Sequence, residues 1–310
     1  MTSFLSRVRT TWMELTPGKK HRTVSVAVVA LLIVIGVCVW LFAGPSVLYP
    51  ALINGKYGYI TKSGKIAIQP QFDRADPFTD HLAAVEIGNR WGYIDRSGKL
   101  VISPQYDMGD PFSEGLALVG SGPRLGYIDT SGKYAINPQY GGAGQFGNGR
   151  APVMTNGLWG YIDAEGKMVI NPQFDEGGNF SEGLASVRSG NKFGYINTSG
   201  KIVIPPQFDS AGDFHGSLAV VSLNGKYGYI DKSGRMQISP QFDSAGDFSD
   251  GLAAVSISRR CGYIDKSGKF AINPQFDQGG SFRAGIAPVW VGNRQGYINK
   301  EGKYVWNPVS

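Results

Sequence analysis

The chain has 310 residues, 42% hydrophobic and 17% charged, with 44 glycines, 17 prolines, two cysteines and a net charge of +6. That length allows one large or two ordinary domains, and Cys38 and Cys261, one inside an apolar run and one far beyond it, exclude a disulfide-stapled fold. The first fifty residues carry five cations and one acid, while the remainder is nearly balanced with 25 against 23, which excludes a basic nucleic-acid surface on the folded part.

Residues 1–23 form a basic tail with Arg7, Arg9, Lys19, Lys20 and Arg22 against Glu14. Residues 24–43 follow without a single charge, and as a helix of about 1.5 Å per residue they match a hydrocarbon core of roughly 30 Å. No polar face interrupts them, so a transmembrane signal-anchor is expected rather than a buried soluble helix. No further Lys or Arg appears until Lys56, and the positive-inside rule then places the tail in the cytoplasm and the rest outside. A cleaved signal peptide needs a shorter apolar run and a small-x-small site, which Leu41-Phe42-Ala43 does not supply. Val37 likewise spoils a lipoprotein site at Cys38. Residues 44–50 read as a linker.

From residue 51 to 308 the chain is a repeat. Gly-Tyr recurs at 58, 92, 126, 160, 194, 228, 262 and 296, each 34 residues after the last, with no insertion. In each unit a small and β-branched run, as at Leu252–Val255, predicts a first strand, and Tyr263-Ile264 predicts a second. Asp265-Lys266-Ser267-Gly268 predicts a tight turn, and Phe270 and Ile272 alternate with Lys269 and Ala271 in a third strand that Pro274 is expected to end. No stretch beyond residue 50 is long enough without Gly or Pro for an ordinary helix, so the fold class is all-β. Counting from a degenerate first strand at Ala51-Leu52-Ile53, eight three-stranded meanders and seven connecting loops result. Each loop carries one phenylalanine, from Phe78 to Phe282, read as a plug between units too small to fold alone. A closed, propeller-like ring and an open superhelix both satisfy the pattern, with a slight preference for the ring.

Arg90-Trp91-Gly92-Tyr93-Ile94-Asp95 and Leu158-Trp159-Gly160-Tyr161-Ile162-Asp163 resemble the bacterial WG (KWG) repeat. Ile202-Val203-Ile204-Pro205-Pro206-Gln207-Phe208-Asp209 and Phe180-Ser181-Glu182-Gly183-Leu184-Ala185 carry the rest of its pattern. The tryptophan column departs to Tyr57, Leu125, Phe193, Tyr227, Cys261 and Gln295, mostly apolar exchanges that point to packing. The resemblance implies a surface or envelope protein without an assigned activity.

Candidate chemistry is sparse. The two aspartate columns, typified by Asp73 and Asp95, offer one carboxylate per turn and suit turn chemistry better than calcium. His21, His81 and His215 lie far from one another and from a cysteine, so neither a metal site nor a catalytic triad is expected, and no cofactor fingerprint occurs. One segment breaks the repeat: Gly141 replaces the aspartate and Arg150 the leucine. Gly141, Gly144, Gly149 and Arg150 are therefore the candidate ligand-binding residues. The expected function is a non-enzymatic binding or scaffold protein, single-pass in the cell membrane with its repeats extracytoplasmic. The expected partners are the membrane and an envelope protein or cell-wall glycan, not nucleic acid. A purely structural envelope element and a secreted glycan-binding module are the alternatives.

Overall fold

The computed structural model describes residues 47–307. The expected cytoplasmic tail and transmembrane span lie outside the described residues, among which no helix is long and apolar enough to cross a membrane.

The repeats form eight antiparallel sheets, one per period, arranged as the blades of a closed propeller. Blade 1 comprises β1 (Leu48–Ile53), β2 (Lys56–Thr61) and β3 (Ile66–Phe72). Blade 2 comprises β4 (Arg74–Ala75), β5 (Ala83–Ile87), β6 (Arg90–Ile94) and β7 (Leu100–Tyr106). Six sheets have four strands rather than the expected three, because the connecting segment contributes a short inner strand to the following blade. In β4 this strand is only two residues, held by Arg74 opposite Glu86 and Ala75 opposite Val85, too short to show any periodicity. Blade 4 keeps three strands and replaces the inner one by a lone bridge between Ala143 and Val153. Blade 1 begins at Leu48, three residues ahead of the expected first strand.

The third strand is not ended by its proline. β3 runs through Pro70 to Phe72, and Pro70 sits in a bulge: Tyr59 pairs with Ile68 and Tyr57 with Phe72, so the outer strand gains two residues. A proline fits there because a bulged residue owes no ladder hydrogen bond. The bulge also dictates the glycine before each tyrosine. A Cβ on Gly58 would lie 2.5 Å from the Ile68 carbonyl oxygen and 2.8 Å from Pro70 N, so only glycine fits under the crossing strand.

The core lies between blades, as the phenylalanine column predicts. Phe78, from the segment entering blade 2, packs 4.9 Å from the Tyr59 ring of blade 1, together with Ile68, Phe72, Ala83, Val85 and Ile94. The tyrosine at each second strand is fully buried, and its hydroxyl donates to a backbone carbonyl of the next blade, as Tyr93 does to Asp110 at 2.9 Å. Burial pushes these phenols well above their ordinary pKa.

The same bonds close the ring. Tyr297 of blade 8 donates to the Pro50 carbonyl at 2.6 Å, Tyr49 of blade 1 donates to the Arg283 carbonyl at 3.0 Å, and Tyr49, Ala51, Ile60, Ile286 and Tyr297 share one core. Gln295, the polar exception in the tryptophan column, is buried and accepts the Leu52 amide at 2.9 Å. Arg283 stands where other blades carry Ser113, Ser181 or Ser249, each of which reaches the next blade's phenylalanine carbonyl, and its guanidinium reaches Phe78 O of blade 2.

Candidate functional site

Each blade has two distinct ends. At the hairpin end the second and third strands turn through four residues that end in glycine, Asp-x-Ser-Gly in four of the eight blades. The Asp95 carboxylate accepts the Ser97 amide at 2.9 Å, the Ser97 hydroxyl at 2.6 Å and the Lys99 amide at 3.1 Å, and Gly98 takes φ +87°. The Ser97 hydrogen bonds hold Asp95 below the usual carboxylate range. This is turn chemistry, as the sequence suggests. The inner turns join this end blade to blade: Gly115 N donates to Asp80, Gly149 N to Glu114 at 2.8 Å and Gly183 N to Asn148.

At the opposite, clasp end, the aspartate following each third strand ties two blades. Asp73 pairs with Lys56 at 2.5 Å and accepts the Gly88 amide of the next blade at 2.8 Å. The same clasp recurs as Arg90–Asp107, Lys192–Asp209, Lys226–Asp243 and Arg260–Asp277. These two columns depart from a cation and an aspartate only at Leu158 and Gly141.

Three columns at the clasp end do change. In every complete blade the short strand, the first strand and the second strand set three residues in one row. Blade 2 shows Arg74, Glu86 and Trp91, and blade 5 shows Glu176, Arg188 and Phe193. Blade 3 has Met108, Gly120 and Leu125, whereas blade 6 has Ser210, Ser222 and Tyr227. The aromatic members Tyr57, Trp91, Trp159, Phe193 and Tyr227 are half-buried, packing as expected on the blade cores while leaving part of each ring to solvent. Ion pairs join Arg74 to Glu86 at 3.3 Å and Arg188 to Glu176 at 2.8 Å, so these charges cancel within their own rows. At the seam of blades 8 and 1, a cavity of about 500 Å³ opens beside Tyr57, Pro77, Trp290 and Gln295.

Nearer the axis, inner segments bring carboxylates of adjacent blades together. Burial, and then neighbouring Asp110, push Asp76 up to about 6, and burial and Asp247 do the same to Asp213 against the opposing effect of His215. His215 Nε2 lies 3.6 Å from Asp247. No group of three or more His, Cys, Asp or Glu positioned to hold a metal occurs among the described residues.

The four residues singled out from the sequence are not gathered. Gly142 O accepts the Met154 amide and Gly147 pairs with Arg150, so Gly141 and Arg150 stand at opposite ends of the ladder, roughly 17 Å apart at the usual strand rise. Gly141 lies at the clasp end and is exposed. Gly144 lies mid-segment, its carbonyl accepting the Tyr127 hydroxyl at 2.7 Å. Gly149 and Arg150 lie at the hairpin end, where Arg150 Nη1 donates to Gly149 O at 2.9 Å while its buried Nε has no hydrogen-bond partner among the described residues. The variable rows at the clasp end were missed because two of their three columns lie in segments read as loop or as interchangeable strand. Variation among the eight copies, column by column, is the signal that finds them.

Comparisons with known proteins agree with this architecture. Among solved structures the chain is similar in fold to the dihydro-heme d1 dehydrogenase NirN (TM-score 0.56, 13% identity, covering 85% of this chain and 72% of that one). It is also similar to a eukaryotic initiation factor (0.54, 10%, 85% of each chain) and to Kluyveromyces lactis Hsv2p (0.53, 10%, 76% and 97%). At such identities the likeness concerns the fold alone. No curated protein matches the chain. The WG-containing repeat model matches at residues 57–91, 91–120, 126–159, 159–193, 193–227, 227–258 and 262–294. With well over half of its length matched by these seven segments, the chain belongs to the WG-repeat family.

Proposed function

We propose that this propeller is a non-catalytic binding or scaffold module, carried outside a bacterial cell membrane by the apolar segment 24–43 and engaging an envelope protein or cell-wall glycan through its clasp end. One observation carries the binding surface: the clasp-end rows change between charged, polar and apolar character from blade to blade and carry half-exposed aromatic rings, while the tyrosine and phenylalanine columns of the core repeat unchanged. A repeat scaffold needs constant residues where blades meet and is free to vary where it meets something else. Trp, Tyr and Arg, which recur in these rows, are also the residue types enriched in binding hot spots. The non-catalytic reading is supported by the absence of insertions that could present a reactive group. The anchor is supported by the uncharged twenty-residue run and its basic flank.

The full chain in detergent, used as bait against envelope extract and cell-wall glycans, tests the surface. Trp91→Ser with Trp159→Ser is expected to abolish capture, and Lys266→Ser at the hairpin end to leave it intact. Equal capture by both variants would move the site off the clasp end. A C-terminal reporter active only outside the cytoplasm tests the anchor, and a soluble form beginning near Gly44 would overturn it.

A further inference from the structure

The clasp fails twice in succession, at blades 3 and 4. Arg124 occupies the cation column, but the residue due to clasp it is Gly141, and the guanidinium is left with the Gln139 carbonyl at 3.1 Å. One blade on, Asp175 holds the Gly190 amide at 2.7 Å, but the cation column there is Leu158, whose side chain is exposed. Among the described residues neither Arg124 nor Asp175 is in a salt bridge, although five other clasps are intact. Around the rim the stations therefore run Arg124, Gly141, Leu158, Asp175: a cation, a gap, an apolar knob and an anion.

That order is complementary to its own reverse. We propose that this rim is a self-association surface, on which a second copy of the chain docks across a twofold axis between Gly141 and Leu158. Arg124 of each copy meets Asp175 of the other, and Leu158 of each lies over the space left by the missing side chain at Gly141. An isologous contact requires such pairing of unlike stations at equal distances from the axis. The occupant follows from charge. A partner for this rim must present an anion, a knob, a gap and a cation in reverse order, and the chain itself carries that series. The ion pairs set orientation, and Leu158 supplies the apolar burial. The two losses also explain each other: an intact clasp would neutralise Arg124 and Asp175 internally and fill the gap.

Sedimentation equilibrium of the full chain in detergent is the test. The wild type is expected to dimerise reversibly. Arg124→Asp alone, and Asp175→Arg alone, place like charges together twice per dimer and are expected to weaken association by about tenfold or more. The double variant R124D/D175R restores complementarity with reversed polarity and is expected to return to within about threefold of wild type. Gly141→Asp with Leu158→Lys, which rebuilds both internal clasps, is expected to be monomeric and fully folded by circular dichroism. A wild type that stays monomeric at every concentration overturns the proposal. So does a double variant no better than the worse single one, which would point to a different protein at this rim.

Discussion

The seam between blades 8 and 1 and the junction of blades 3 to 5 both depart from the repeat, in opposite ways. At the seam each irregular residue makes a bond the pattern would lack: Gln295 takes the Leu52 amide, and Arg283 spans to Phe78 of blade 2. Around blade 4, substitution removes two clasps outright, although Gln145 adds bonds to Asp110 and Asn179 in the inner segments. Gly141 and Leu158 break two clasps, Arg150 leaves a buried Nε without a hydrogen-bond partner among the described residues, and the core shared by blades 4 and 5 lacks the leucine that this column supplies as Leu82 and Leu184 elsewhere. Irregularity that adds bonds serves folding. Irregularity that discards them in a redundant array marks surface given over to something else.

The largest effect that can break this comparison is removal of a whole period. Deleting residues 161–194 keeps every local pattern but leaves a ring of seven blades to close with geometry set for eight. Thermal unfolding is expected to collapse or shift far down, and an unchanged transition would mean that the seam carries nothing. Next comes Gln295→Ala, which leaves the Leu52 amide without its acceptor and opens the buried site. A loss of about 2 kcal/mol in denaturant unfolding is expected. The blade 4 substitutions carry the opposite sign: Arg150→Leu restores an apolar contact and removes the unpaired Nε, for an expected gain of about 1 kcal/mol. A loss there would make Arg150 a structural residue after all.

The smallest effect is the dependence on pH. Folding raises the pKa of Asp213 to about 6, above the roughly 3.9 of an unfolded chain. The native state therefore binds the proton first, and stability rises as pH falls from about 6 towards 4. Asp213→Asn is expected to stabilise by about 1 kcal/mol at pH 7, after allowance for solvent screening, and by nothing near pH 4. An equal gain at both values would remove the carboxylate from the account.

Much of this architecture is legible in the sequence because each repeated residue has one local task. The Asp-x-Ser-Gly turns, the interblade phenylalanines and the all-β class follow from spacing and residue type, and Asp95, Phe78 and Tyr93 do what those types do. Three features were not legible. The inner strand is two residues long in five of the six four-stranded blades and exists only through pairing with the following blade. Pro70 reads as a strand stop unless the bulge over Gly58 is seen. Ring closure depends on Tyr297 meeting Pro50, 247 residues away, and no local pattern encodes such a contact. The candidate site was half legible: the break at Gly141 lies on the rim that lost its clasps, while Arg150 lies at the other end of the same ladder.

The central claim is that the clasp end is the working surface, and hydroxyl-radical footprinting of the full chain in intact cells against the purified chain tests it most directly. Trp91, Trp159 and Tyr227 are half-exposed at that end, while Lys99 and Lys266 mark the hairpin end. The account predicts protection of the three aromatic residues in cells and unchanged labelling of the hairpin turns. Protection confined to the hairpin end, or identical labelling in both preparations, would contradict it.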